Sequence, residues 1–233
     1  MAMNQKLLRP KATGFNPKAL PGFVYWLDAS QSSTITTATG VSEWRDAAGG
    51  TIKATQTTAN SQPAYQLAQQ NGKNAVYFDG TNDHLVLGNL SASFPTAASG
   101  IFAYRPNNDN EYNLYRTSSD ANYSFWADNP GGTYIGTFRV ARIPRVLSPT
   151  MPINANAIVS VVSSASLYRV YINDVLTHDV AASFLAGTTH AIAVNDLGTY
   201  MNGWLYEAIF TSTALSAANL SAAHKYLKAK WGI

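Results

Sequence analysis

The chain contains no cysteine. This excludes a disulfide framework, a thiolate metal centre and a cysteine nucleophile, and leaves stability to the core alone. Charge is also scarce: 12% of the residues are Asp, Glu, Lys or Arg, about half the usual share of roughly 25%. Such a surface is either partly covered by a partner or solvated through Ser, Thr and Asn. Glutamate occurs only at Glu43, Glu111 and Glu207, with no spacing that sets two carboxylates across one glycosidic bond. There is no Gly-x-Ser-x-Gly elbow, so nothing marks a nucleophilic serine. No apolar run approaches the roughly 20 residues of a membrane-spanning helix, and the N-terminus lacks the apolar stretch of a signal peptide. The net charge of +3 is too small and too dispersed for a nucleic-acid-binding face. Neither a nucleic acid nor a membrane is expected as a partner.

What is present is a β pattern. Aromatic residues make up 12% of the chain, with 16 Gly and 10 Pro as punctuation. Segments with strand character recur along its length: Phe23–Leu27, Val41–Arg45, Ile101–Arg105, Tyr112–Arg116, Tyr123–Ala127, Ile158–Val162, Leu167–Ile172 and Gly203–Phe210. Turn signals between them come at the spacing of an all-β sandwich. Ala157–Val162 is continuous and apolar but for Ser160, as a strand buried on both faces should be. Asn173-Asp174 is a tight-turn dipeptide between Leu167–Ile172 and Val175–His178. Val76–Phe78 and Leu85–Leu87 alternate around Asp79-Gly80-Thr81-Asn82-Asp83, and this reads as a central hairpin. One helix is expected, over 216–231. Ser216 caps it, Leu215 and Leu220 staple its first turn, Lys225, Lys228 and Lys230 suit its C-terminal end, and Gly232 stops it.

Two units follow. Residues 1–21 form an extended, Pro-broken basic arm bearing Lys6, Arg9, Lys11 and Lys18, with no acid before Asp28. Residues 22–233 form the sandwich with its helix. Lys6, Leu7, Leu8, Arg9, Lys11 and Phe15 are the candidate partner contacts, since cations and apolar groups together suit an acidic neighbour; the alternative is a solvated terminus. Trp26, Trp44, Trp204 and Trp231 sit within apolar segments and are expected in the core. Tyr104, Tyr112, Tyr115 and Trp126 lie beside polar turns and are the candidates for an exposed, glycan-stacking patch. His84, His178, His190 and His224 are expected on strand or helix surfaces. No catalytic residue and no metal ligand set stands out. Oxygens of the type calcium takes occur at Asp79, Asn82, Asp83, Asn195 and Asp196.

Phe78-Asp79-Gly80-Thr81-Asn82-Asp83-His84-Leu85 resembles the "FDG-x-n-D-y-L" segment of concanavalin A-like lectin/glucanase domains, the laminin-G-like group. Leu20–Ala29 with Trp44-Arg45-Asp46, and Gly203–Phe210 with Tyr226–Ile233, resemble the opening and closing of the versions found in bacteriophage structural proteins. The resemblance implies a jelly-roll β-sandwich. Some members hold Ca²⁺ on loop oxygens. Glycanases of the group carry Glu-x-Asp-x-x-Glu or a close variant on one strand, which is absent here, so no enzyme is expected. The implied function is a virion structural protein, a head decoration or a fibre or tail component, docked by its arm on a major capsid or tail protein. A homotrimer is the oligomer expected. A carbohydrate-binding receptor-recognition or adhesion module is the alternative, with a glycan as its partner; a divergent, inactive glycanase is the third reading.

Overall fold

The computed structural model describes residues 14–107, 153–181 and 198–233 continuously, with 112–117, 125–127, 137–138, 146–147, 187 and 190–194 between them. Its strands are β1 (Phe23–Asp28), β2 (Ile35–Thr37), β3 (Val41–Arg45), β4 (Lys53–Thr55), β5 (Ala64–Gln70), β6 (Lys73–Asp79), β7 (Leu85–Gly88), β8 (Ala98–Pro106) and β9 (Tyr112–Arg116). There follow β10 (Phe125–Ala127), β11 (Thr137–Phe138), β12 (Val146–Leu147), β13 (Ala157–Ser163), β14 (Tyr168–Ile172), β15 (Val175–Val180), β16 (His190–Ile192) and β17 (Asn202–Thr211), and then helix α1 (Ala217–Trp231).

Two antiparallel sheets make the sandwich. The larger runs β15-β14-β13-β8-β17-β6-β5, with β1 also paired to β17; the smaller runs β10-β9-β16-β7-β4-β3-β2. A short β11–β12 ladder stands apart. The ten-residue β17 is the spine of the large sheet: its first half pairs with β6, its second with β1, and β8 lies along its other side. Phe210 of β17 stacks on Tyr25 with ring centroids 4.4 Å apart, meets Phe102 edge-on at 5.3 Å, and lies 4.7 Å from Tyr115 of the small sheet. Through this one ring the two inner faces interlock, as stacked sheets about 10 Å apart require. β13 is buried along its whole length, with the core on one face and α1 over the other.

The central hairpin expected from the sequence is not a hairpin. β6 pairs with β5 and β17 in the large sheet, whereas β7 pairs with β4 and β16 in the small one. The polar link between them is a corner that carries the chain from one sheet to the other. Asp83 Oδ2 accepts the Asp79 N–H at 3.0 Å, and Asp79 Oδ1 accepts the Thr81 N–H at 2.8 Å. The turn chemistry is the one the sequence predicts, but alternation on either side of a turn does not say which partner each strand takes. The Asn173-Asp174 turn does join a paired hairpin, β14–β15. Both residues have positive φ, 48° and 74°, the backbone of a turn that matches strand twist.

α1 begins where its cap dictates: Ser216 Oγ accepts the Asn219 N–H at 3.3 Å, and Gly232 ends the helix at φ 68°. Leu220, Ala223, Leu227 and Trp231 are buried on its inner face. Residues leading into β1 belong to the same packing. Phe15 lies against Tyr226, with ring centroids 5.1 Å apart, Pro17–Ala19 form a 3₁₀ turn capped by Asn16, and Leu20 is buried. So the last third of the expected arm, including Phe15, rests on the sandwich. Lys6, Leu7, Leu8, Arg9 and Lys11 lie outside the described residues. Among the described residues no helix is long and apolar enough to cross a membrane.

Candidate functional site

α1 covers only part of the outer face of the large sheet, and what lies beneath it is closed. Glu207, with no exposed surface, accepts the indole N–H of Trp26 at 2.6 Å on Oε1 and that of Trp231 at 2.7 Å on Oε2. Tyr226 donates its hydroxyl to Oε1 at 2.9 Å. Lys230 Nζ sits 2.7 Å from Glu207 and 2.6 Å from the equally buried Asp28. Burial pushes the Glu207 carboxyl up to about 7, although Lys230 pulls it down. Glu207 and Asp28 form a buried carboxylate pair of the kind that could suggest acid–base chemistry, but their oxygens are engaged with the helix and shielded by it. Further along α1, His224 is hydrogen-bonded through Nε2 to Ser160 Oγ at 2.5 Å and through Nδ1 to Asp174. The order Ser160–His224–Asp174 is that of a hydrolytic triad, yet Ser160 has no exposed surface. It fastens the helix to β13 and to the β14–β15 turn.

Beyond the helix the same face is open. Tyr206 is covered by Trp231, the rings stacked at 5.2 Å. Two residues earlier on β17, and so on the same face, Trp204 is partly exposed. Tyr77 of β6 and Arg105 of β8 lie directly opposite Trp204 on either side. The Tyr77 and Trp204 rings are 5.0 Å apart at 45°, and the Arg105 guanidinium lies 5.2 Å from the Trp204 centroid. The indole N–H donates to Gln66 Oε1 of β5 at 2.7 Å. Tyr77 donates its hydroxyl to Asn202 Oδ1 at 3.3 Å, and Asn107 Nδ2 donates to the same oxygen at 3.1 Å. Four adjacent strands therefore present one platform: two aromatic rings, a guanidinium and a rim of amides, each partly exposed. Its rotamers are fixed by these bonds. Close strand approach is built in at Gly203, where an added Cβ would lie 2.2 Å from the Arg105 carbonyl oxygen.

The aromatic residues singled out from the sequence lie elsewhere. Tyr104 and Tyr115 are core residues with no exposed surface, and the Tyr115 hydroxyl is bonded to His190. Tyr112 and Trp126 fall in β9 and β10, and their side chains lie outside the described residues. Conversely Trp204, expected in the core, is the centre of the platform, and Trp26 is only partly buried. Gly203–Phe210 is apolar at nearly every position, so its pattern could not say which face meets solvent; polar Asn202, Gln66 and Arg105 around it were the available signal. His178, His190 and His224 are buried, not on the surface. Among the calcium candidates, Asp79 and Asp83 direct oxygens to the amides of their own turn, and Asn195 and Asp196 lie outside the described residues. No group of three or more His, Asp or Glu that could hold a metal occurs among the described residues.

The architecture is shared with solved carbohydrate-related proteins. Domain 4 of the extracellular arabinanase AbnA from Geobacillus stearothermophilus, solved with arabinotriose, superposes with a TM-score of 0.64 at 14% identity, over 87% of this chain and 98% of that domain. Trypanosoma rangeli sialidase matches with a TM-score of 0.62 at 12% identity, over 91% of this chain and 35% of the sialidase. The ligand-binding domain of botulinum neurotoxin serotype D, in complex with N-acetylneuraminic acid, matches with a TM-score of 0.60 at 12% identity, over 88% of this chain and 50% of that one. The chain thus spans about a third of the sialidase and half of the toxin fragment. No protein-family model and no curated protein matches in sequence. At these identities the fold is what is shared; in this chain it is a two-sheet β-sandwich with a C-terminal helix, as the sequence implied.

Proposed function

We propose that the protein is a non-enzymatic carbohydrate-binding module and that the Trp204 platform is its binding face. The observation that carries this reading is the row Tyr77–Trp204–Arg105 on an otherwise open sheet face. Pyranose rings present apolar C–H faces that stack on indole and phenol, while amides and guanidinium bond their hydroxyls. Gln66 bonds the indole N–H, Asn202 accepts the Tyr77 hydroxyl and Asn107 bonds Asn202, and all three amides can exchange partners with a ligand. Structural neighbours that hold arabinotriose or N-acetylneuraminic acid support the reading. The setting implied by the sequence resemblance, a bacteriophage particle carrying the module as a trimeric adhesion or receptor-recognition element, is compatible with the same face; it would place the glycan on a host surface.

A glycan array with the purified chain tests the proposal. Trp204→Ala should abolish the signals that the wild-type chain gives. An array silent for the wild-type chain, or signals unchanged by Trp204→Ala, would remove the platform from consideration. No hydrolysis of bound glycans is expected, because Asp28 and Glu207 are occupied beneath α1.

A further inference from the structure

We infer that the saccharide taken by this platform carries a carboxylate, and that Arg105 is the residue that reads it. The inference rests on the platform reading and names the ligand class. Arg105 stands on β8, inside the sheet, with β17 and Trp204 on one side. Its Nε–H is buried and has no hydrogen-bond partner. It enters no ion pair among the described residues, whereas Arg45 pairs with Glu43 and Arg169 with Asp179. The side chains beside it on the platform, Trp204, Tyr77, Gln66, Asn107 and Asn202, bear no charge. The nearest acid along the ladder, Glu207, is opposite Ala103, two residues back along β8, and its oxygens are taken by Trp26, Trp231, Tyr226 and Lys230. Asp79 lies beyond β17, opposite Asn202, with its Oδ1 bonded to the Thr81 amide.

A half-buried guanidinium without an anion is unfavourable unless something supplies one. Its planar fork of donors matches a carboxylate in two-point contact. Its cation–π contact with Trp204 at 5.2 Å holds the guanidinium over the platform beforehand, which lowers the entropy lost on binding. The sugar ring that bears the carboxylate then falls over Trp204 and Tyr77, so stacking and charge recognition act on one residue of the glycan. Neutral saccharides keep the stacking and lose the ion pair.

Isothermal titration with galacturonate hexasaccharide and with its carboxyl-reduced galactose counterpart tests this, using the whole chain, Arg105→Gln, Arg105→Lys and Trp204→Ala, each checked for an unchanged melting profile. Glucuronate- and mannuronate-based hexasaccharides with their reduced forms extend the panel. The expected result is that at least one acidic oligosaccharide binds about ten- to a hundredfold tighter than its reduced form, the range of one charge-assisted contact. Arg105→Gln should erase that ratio by weakening the acidic ligand far more than the neutral one, and Arg105→Lys should keep only part of it. Neutral binding that depends on Trp204 with no preference for the acid would overturn this inference and leave the platform reading standing. Binding, acidic or neutral, that survives Trp204→Ala would overturn both. Equal binding of hexaglutamate would overturn the saccharide assignment.

Discussion

Trp231, on the last turn of α1, donates its indole N–H to Glu207 of β17 at 2.7 Å, and both side chains are without exposed surface. Helix and sheet are thus joined by a charge-assisted hydrogen bond in the dry interior. Such a bond is hard to replace: the carboxylate has already left water, so a lost donor is not made good by solvent.

Lys230→Met should therefore destabilise the fold by about 3–5 kcal/mol, the usual result of removing one partner of a buried ion pair. Lys230 neutralises Asp28 and Glu207 together, and its loss leaves two carboxylates facing each other. Chemical denaturation measures this; a midpoint unchanged from wild type would contradict the buried placement.

The two tryptophans of the outer face should respond differently. Trp231→Ala removes a fully buried ring and should cost about 3–5 kcal/mol. Trp204→Ala removes a partly exposed one and should cost about 1–2 kcal/mol, nearer the ordinary range. Urea unfolding of both variants gives the comparison, and equal losses would place Trp204 in the core after all.

Acid stability should report His190. Burial drives its pKa down to about 4, well under the roughly 6.5 of an unfolded histidine. Between those values the unfolded chain binds a proton that the folded chain does not, so stability falls as pH drops from about 6.5 to about 4. Glu207, pushed up to about 7, acts in the opposite sense: its share is present below about 4.5 and is lost as pH rises through about 7. Replacement separates the two. His190→Gln should flatten the loss of stability on the acid side, as read by melting temperature across pH 4–7, and an unaltered slope would refute the assignment.

Gly203→Ala should unfold the central sheet or strongly destabilise it. The new Cβ would meet the Arg105 carbonyl oxygen at 2.2 Å, and that atom belongs to backbone that cannot rotate away. Expression as a folded protein with a normal melting temperature would show that β8 and β17 can separate without loss.

Much of the fold was legible because short-range rules govern strands and caps. Ser216, Leu215, Leu220 and Gly232 delimit α1 by local chemistry alone, and β13 declares its burial by a run that is apolar at five of its seven positions. Pairing was less legible. Alternation around Asp79–Asp83 is the same for a hairpin as for a corner between sheets; the choice depends on β4, β16 and β17, which are distant in sequence. The site was nearly invisible for a related reason. Tyr77, Arg105 and Trp204 are scattered along the chain and become neighbours only through the β6–β17–β8 order. Tyr104 and Tyr115 sit beside polar turns as an exposed ring would, but they point inward.

β1 has a further meaning for how the molecule comes into being. Its ladder partner is β17, with Phe23 opposite Thr211 and Asp28 opposite Glu207. A ribosome extruding this chain releases Tyr25 and Leu27 long before the strand that will cover them exists. Contacts so far apart in sequence slow folding, and the unpaired strand waits as an adhesive edge. Circular permutation that fuses the region before β1 to the end of α1, with new ends opened at the exposed Gly88-Asn89 link between β7 and β8, which do not pair with each other, would make β1 and β17 near neighbours. The permutant should fold faster than the natural order of strands while keeping the same sheet.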